Sequence, residues 1–198
     1  MNKKIIVAWI GGSLLALCAV SALAQDSLSK GDQRILTDLA QANLNEISAG
    51  QVAQQKASSP EVKNFAQQMV NDHTKGLQAV QDVARSKNLS LPTEPDARHR
   101  AMADKLNGLS GDAFDHAYLS GAGLSDHKAA HKLLAQADKR AKDPDVKALV
   151  EKLRPVVDQH LAEVKPLAHN KGGMPSPSGG NTDNPLDPHH DQVKAPGQ

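Results

Sequence analysis

The chain has 198 residues, with 23 Lys+Arg against 22 Asp+Glu, and only 2% of its residues are aromatic. Such a balance offers no basic face for nucleic acid or an anionic membrane, and so few aromatic rings give no stacking platform for sugars or single strands. One cysteine, Cys18, allows no disulfide framework, so the fold must hold by packing.

The N-terminus has the pattern of an export leader. Lys3 and Lys4 precede an apolar run from Ile5 to Val20, and Ala22-Leu23-Ala24 before Gln25 forms a small-x-small cleavage site. The run is short for a membrane span, so cleavage after Ala24 and a periplasmic protein without a stable membrane anchor are expected. Leu15-Ala16-Leu17-Cys18 loosely matches a lipoprotein signal, but the bulky Leu17 and the better downstream site favour simple export. Cleavage removes Cys18, Trp9 and two lysines, leaving a mature chain one unit negative.

Residues 28–169 are expected to form one all-α domain. Helix one is expected over residues 31–56, with Ile35, Leu39, Ala42, Glu46, Ala49 and Ala53 along one seam. Ser59-Pro60-Glu61 starts the second helix with a cap, a proline at the first position and an acid facing the dipole. Its seam is Val62, Ala66, Met69, His73, Leu77, Val80 and Ala84, in the steps of four and three of a packed helix. Leu91-Pro92-Thr93-Glu94-Pro95 ends it, and residues 96–107 read as a short connecting helix.

The third long helix is expected from a Ser110 cap to Ala141, with a kink or bulge at Gly121 and Gly123. Asp143-Pro144-Asp145 repeats the earlier start signal, opening a fourth helix to about Leu167 that carries Pro155 in its interior. Residues 170–198, rich in Gly, Pro and Ser, read as a disordered tail, and its His189-His190 pair as an uncommitted polar segment.

Ala57–Lys63 echoes Ala141–Lys147, each at the turn of a helical hairpin. The linker over residues 88–110 is long enough to cross a bundle. Glu46 lies 14 residues before Pro60 and His73 lies 13 after it, both about 20 Å from that turn. His127 lies 17 before Pro144 and His160 lies 16 after, about 25 Å from theirs. With the turns at opposite ends of a bundle about 45 Å long, all four polar residues fall in one layer.

Asp32-x-x-Ile35-Leu36, Glu46-Ile47-x-x-Gly50, Phe65-Ala66-x-x-Met69-Val70-x-Asp72-His73-Thr74, Phe114-Asp115-x-x-Tyr118, His127 and Pro155-x-x-x-x-His160-Leu161 resemble the exported bacterial family called domain of unknown function 4142. The resemblance spans about residues 30–168. It implies a ferritin-like four-helix bundle and export, and no settled activity. Ferritin-like di-iron sites take Glu-x-x-His from two helices. Here Val70 and Val157 stand three residues before His73 and His160, which disfavours di-iron oxidase chemistry.

Two readings stay open at this level. Glu46, His73, His127 and His160 hold one divalent metal ion (Zn, Fe, Mn or Cu), with Asp72, Asp115 and Tyr118 as neighbours. Alternatively they form a hydrogen-bonded polar layer in an envelope interaction module with a protein partner. An acid near a helix start favours a structural role for Asp115, and His131 reads as a surface or interface residue. The chain contains no Gly-x-Ser-x-Gly elbow, phosphate-cradling glycine loop or dinucleotide fingerprint. An enzyme is therefore not favoured.

Overall fold

The computed structural model describes residues 28–172, which hold helices and no strand. The export leader, Cys18, the Ala24 cleavage site and the tail beyond Gly172 lie outside the described residues. Helices α1 (Lys30–Lys56) and α2 (Pro60–Ser86) form the first hairpin, and α3 (Ala97–Asn107) lies in the crossover. The third arm has three consecutive pieces: α4 (Gly111–Tyr118), a π-helical segment (Leu119–Asp126) and α5 (His127–Arg140). Helix α6 (Pro144–Gly172) completes the second hairpin. No described helix is long and apolar enough to cross a membrane.

Local chemistry explains these boundaries. The Ser59 hydroxyl accepts from the Val62 amide, and Pro60 occupies the first turn of α2. Asp143 accepts from the amides of Asp145 and Val146, opening α6 in the same way. Just past the end of α2, Asn88 with a φ of 56° closes the turn, with Leu89 N–H on the Ala84 carbonyl and Asn88 N–H on that of Arg85.

Three details differ from the sequence-based expectation. The bulge at Gly121 and Gly123 is a whole π-helical segment, not a point kink. The Ser110 hydroxyl makes no capping bond, because Gly111 enters α4 with a φ of 57° and redirects the first turn. Helix α6 continues past Leu167 to Gly172, carrying both Pro155 and Pro166 within it.

Two apolar clusters make up the core. One gathers Leu36, Leu39, Val80, Leu134, Val146 and Val150 around the α5–α6 turn. The other gathers Val62, Phe65, Met69, Phe114, Tyr118 and Val164 around the α1–α2 turn. The two turns thus lie at opposite ends of the bundle, as a long crossover requires.

Two buried carboxylates tie each hairpin to the turn of the other. Asp115, at the start of the third arm, accepts from Ser58 N–H (2.9 Å), Ser58 Oγ (2.7 Å) and Ser59 N–H (2.9 Å). Asp32, at the start of α1, accepts from Lys142 N–H at 2.9 Å. Ser58 and Lys142 occupy equivalent places in the two echoed turn sequences.

Candidate metal centre

Buried polar residues on four elements occupy the middle of the bundle: Asn43 and Glu46 on α1, His73 on α2, His127 at the first position of α5, and His160 on α6. The centroids of the three imidazole rings are 5.3, 5.3 and 5.2 Å apart, nearly an equilateral triangle. His73 Nε2 lies 3.3 Å from His127 Nε2, and His127 Nε2 lies 3.2 Å from His160 Nδ1.

The outer nitrogen of each ring identifies its tautomer. His73 Nδ1 faces Asn43 Oδ1 at 3.1 Å, while the amide nitrogen of Asn43 donates to the Leu39 carbonyl. That oxygen can only accept, so His73 carries its proton on Nδ1. His127 Nδ1 donates to the Ala122 carbonyl at 3.0 Å, and His160 Nε2 donates to Asp72 Oδ2 at 3.3 Å. The three remaining nitrogens all carry lone pairs and point at one another.

Electrostatics keep the rings neutral. Burial lowers His73 well below the usual imidazole range, and the neighbouring His127 and His160 lower it further. Burial also pulls His127 down to about 4, against the opposing hydrogen bond from its ring to Ala122. His160 is lowered by burial, partly offset by Asp72. Without protons between them, three convergent lone pairs repel. A shared cation reverses the sign of that interaction.

The spacing suits such an ion. At metal–nitrogen distances near 2.0–2.1 Å, a tetrahedral site has nitrogen–nitrogen edges of about 3.3–3.4 Å, close to the 3.3 and 3.2 Å found. The ligand atoms of His73, His127 and His160 all lie within 4.8 Å of one another.

The remaining candidates take other places. Glu46 sits behind His127, its Oε1 3.5 Å from Nδ1 on the side away from the convergent nitrogens. Burial, reinforced by Asp126, raises its carboxyl well above the usual range. Its Oε2 makes no hydrogen bond. Asp72 supports His160 across the α2–α6 interface and also pairs with Lys75 at 3.2 Å. Asp115, on α4, is taken up by the amides of Ser58 and Ser59 in the α1–α2 turn. Tyr118 is fully buried, stacked on Phe114, with its hydroxyl unbonded and its ionisation opposed first by burial and then by Glu46. His131 is half exposed and pairs with Asp158 at 2.7 Å.

Sequence reasoning missed Asn43 and the Ala122 carbonyl. The only sign of Asn43 was a polar residue one turn before Glu46. Gly76 makes room for it, since a Cβ there would lie 2.5 Å from Asn43 Oδ1. Gly123 likewise lets the π segment close on α6, where a Cβ would lie 2.6 Å from Val164 Cγ2.

Fold and site together define a helical bundle with a buried three-imidazole centre. The chain belongs to the family described as Domain of unknown function (DUF4142), whose profile matches residues 18–167. Among solved structures it is similar to a DUF305 fragment from Deinococcus radiodurans (TM-score 0.64, 10% identity), covering 73% of this chain and 99% of that one. It is similar also to a candidate spore coat protein from Bacillus halodurans C-125 (TM-score 0.59, 18% identity, 84% and 98% covered). A third similar structure is CopM in its Cu(II)-bound form (TM-score 0.59, 18% identity, 70% and 96% covered). At these identities the likeness concerns the fold. No curated protein matches the chain.

Proposed function

We propose that this protein binds a single transition-metal ion through His73 Nε2, His127 Nε2 and His160 Nδ1, and serves in metal handling or protection against metal stress. The observation that carries the reading is the convergence of three lone pairs whose tautomers are held by Asn43, Ala122 and Asp72. Three neutral imidazoles suit copper and zinc, and the affinity order of first-row divalent ions puts Cu²⁺ first. The similar fold of CopM, solved with Cu(II), supports copper as the first ion to test. Glu46 stands behind His127, at its Nδ1, rather than among the ligands. The leader pattern in the sequence favours action in the periplasm.

Calorimetric titration of the metal-stripped, untagged mature chain with Cu²⁺ and Zn²⁺ tests the proposal. One ion per chain is expected, retained when residues 173–198 are deleted and lost in His73→Ala and His160→Ala. Binding that disappears only with the tail would contradict the core site. Retention of helical structure in metal-free protein with no binding at all would favour the hydrogen-bonded layer instead.

A further inference from the structure

Beside the triad, between α1, α2, α5 and α6, lies a cavity of about 370 Å³. Its walls are chiefly aliphatic, with Leu39, Leu134, Leu153, Val156 and Val157 among them. The polar lining is confined to Asn43, Asp72, His73, Lys75 and Lys152. The volume falls in the range of small-molecule sites, and an apolar body with a few polar groups is their usual composition.

Charge selects among occupants. Asp72 is engaged by His160 and Lys75, whereas Lys152 makes no ion pair among the described residues. Lys75 and Lys152 thus bring two ammonium groups to a cavity whose one carboxylate, Asp72, is already paired. Lys152 is exposed and lines the cavity, so its ammonium can meet an anionic head while the apolar walls take the body.

We infer that this cavity binds a small apolar carboxylate, its hydrocarbon body among the leucines and valines and its anionic head at Lys152. The site stands on its own lining and requires no ion at the triad. His73 and Asn43 belong to both places, so the carboxylate lies against the side chains that hold the metal centre.

Octanoate and its neutral analogue octanol serve as probes, titrated by calorimetry into the full mature chain of defined metal content. Octanoate is expected to bind saturably, one per chain and more tightly than octanol. Lys152→Glu should weaken octanoate by about fivefold, the scale of an exposed ion pair, and leave octanol unchanged. Ala130→Phe, which fills the cavity, should weaken both by tenfold or more while the helical circular dichroism stays intact. Absence of saturable octanoate binding overturns the inference, as does binding indifferent to both substitutions. Equal binding of octanol and octanoate overturns the anionic selectivity. Metal stoichiometry is read separately, so failure here leaves the triad's result standing.

Discussion

His73 Nε2 and His127 Nε2 face each other at 3.3 Å, and neither has a proton to give the other. Each ring spends its one proton on an acceptor behind it, Asn43 Oδ1 for His73 and the Ala122 carbonyl for His127. The contact is a pair of opposed lone pairs, unfavourable as it stands.

The outer acceptors should therefore matter to metal affinity. Asn43→Ala frees the Nδ1 proton of His73 and is expected to weaken binding 10- to 100-fold, the scale of losing an imidazole's supporting partner. Gly76→Ala should act in the same direction, because its Cβ would displace Asn43 Oδ1. Competition with a chelator of known affinity measures both.

In metal-stripped protein the triad makes stability depend on pH. The unfolded histidines bind protons near 6.5 while the folded ones resist them, so stability is lost as pH falls from 6.5. For His127, lowered to about 4, the loss amounts to roughly 3 kcal/mol, complete near that pH. Glu46 works the other way. Its folded pKa is raised, so its contribution falls as pH rises above the unfolded value of 4.5. The histidines and Glu46 thus give opposing slopes with pH. Glu46→Gln should remove the decline that sets in as pH rises above 4.5 and keep the loss on acidification, as read by thermal melts from pH 4 to 9.

Reciprocal tethering predicts unequal costs for two buried acids. Asp115→Ala leaves the amides of Ser58 and Ser59 without their acceptor, costing about 3 kcal/mol. Asp32→Ala leaves only Lys142 N–H and the Ser29 hydroxyl, costing about 2 kcal/mol. Urea unfolding would show the order.

Gly123 should tolerate no side chain. Gly123→Ala sets a Cβ 2.6 Å from Val164 Cγ2, and an overpacking cost of about 1–3 kcal/mol is expected. Because His127 follows directly on this π segment, metal affinity should fall along with the melting temperature.

Much of the architecture was legible because it rests on local chemistry. Ser59-Pro60 and Asp143-Pro144 mark helix starts whatever surrounds them, and the His73 seam shows which face is buried. Counting from the two turns then placed Glu46, His73, His127 and His160 at one level. Level is not direction, however. Glu46 shares the layer yet stands behind His127, a distinction decided by side-chain rotamers that spacing does not encode. The Ala122 carbonyl reaches His127 through a π segment, whereas Gly121 and Gly123 announced only an irregularity. Asp72 adjoins His73 in sequence but serves His160 across a helix interface, which no local pattern could assign.

The most direct test is X-ray absorption on mature protein lacking residues 173–198 and loaded with one equivalent of Cu²⁺ or Zn²⁺. The account predicts a first shell containing three imidazole nitrogens at about 2.0 Å, falling to two in any one of His73→Ala, His127→Ala or His160→Ala that still retains the ion. A shell dominated by oxygen, or one unchanged by all three substitutions, would contradict it.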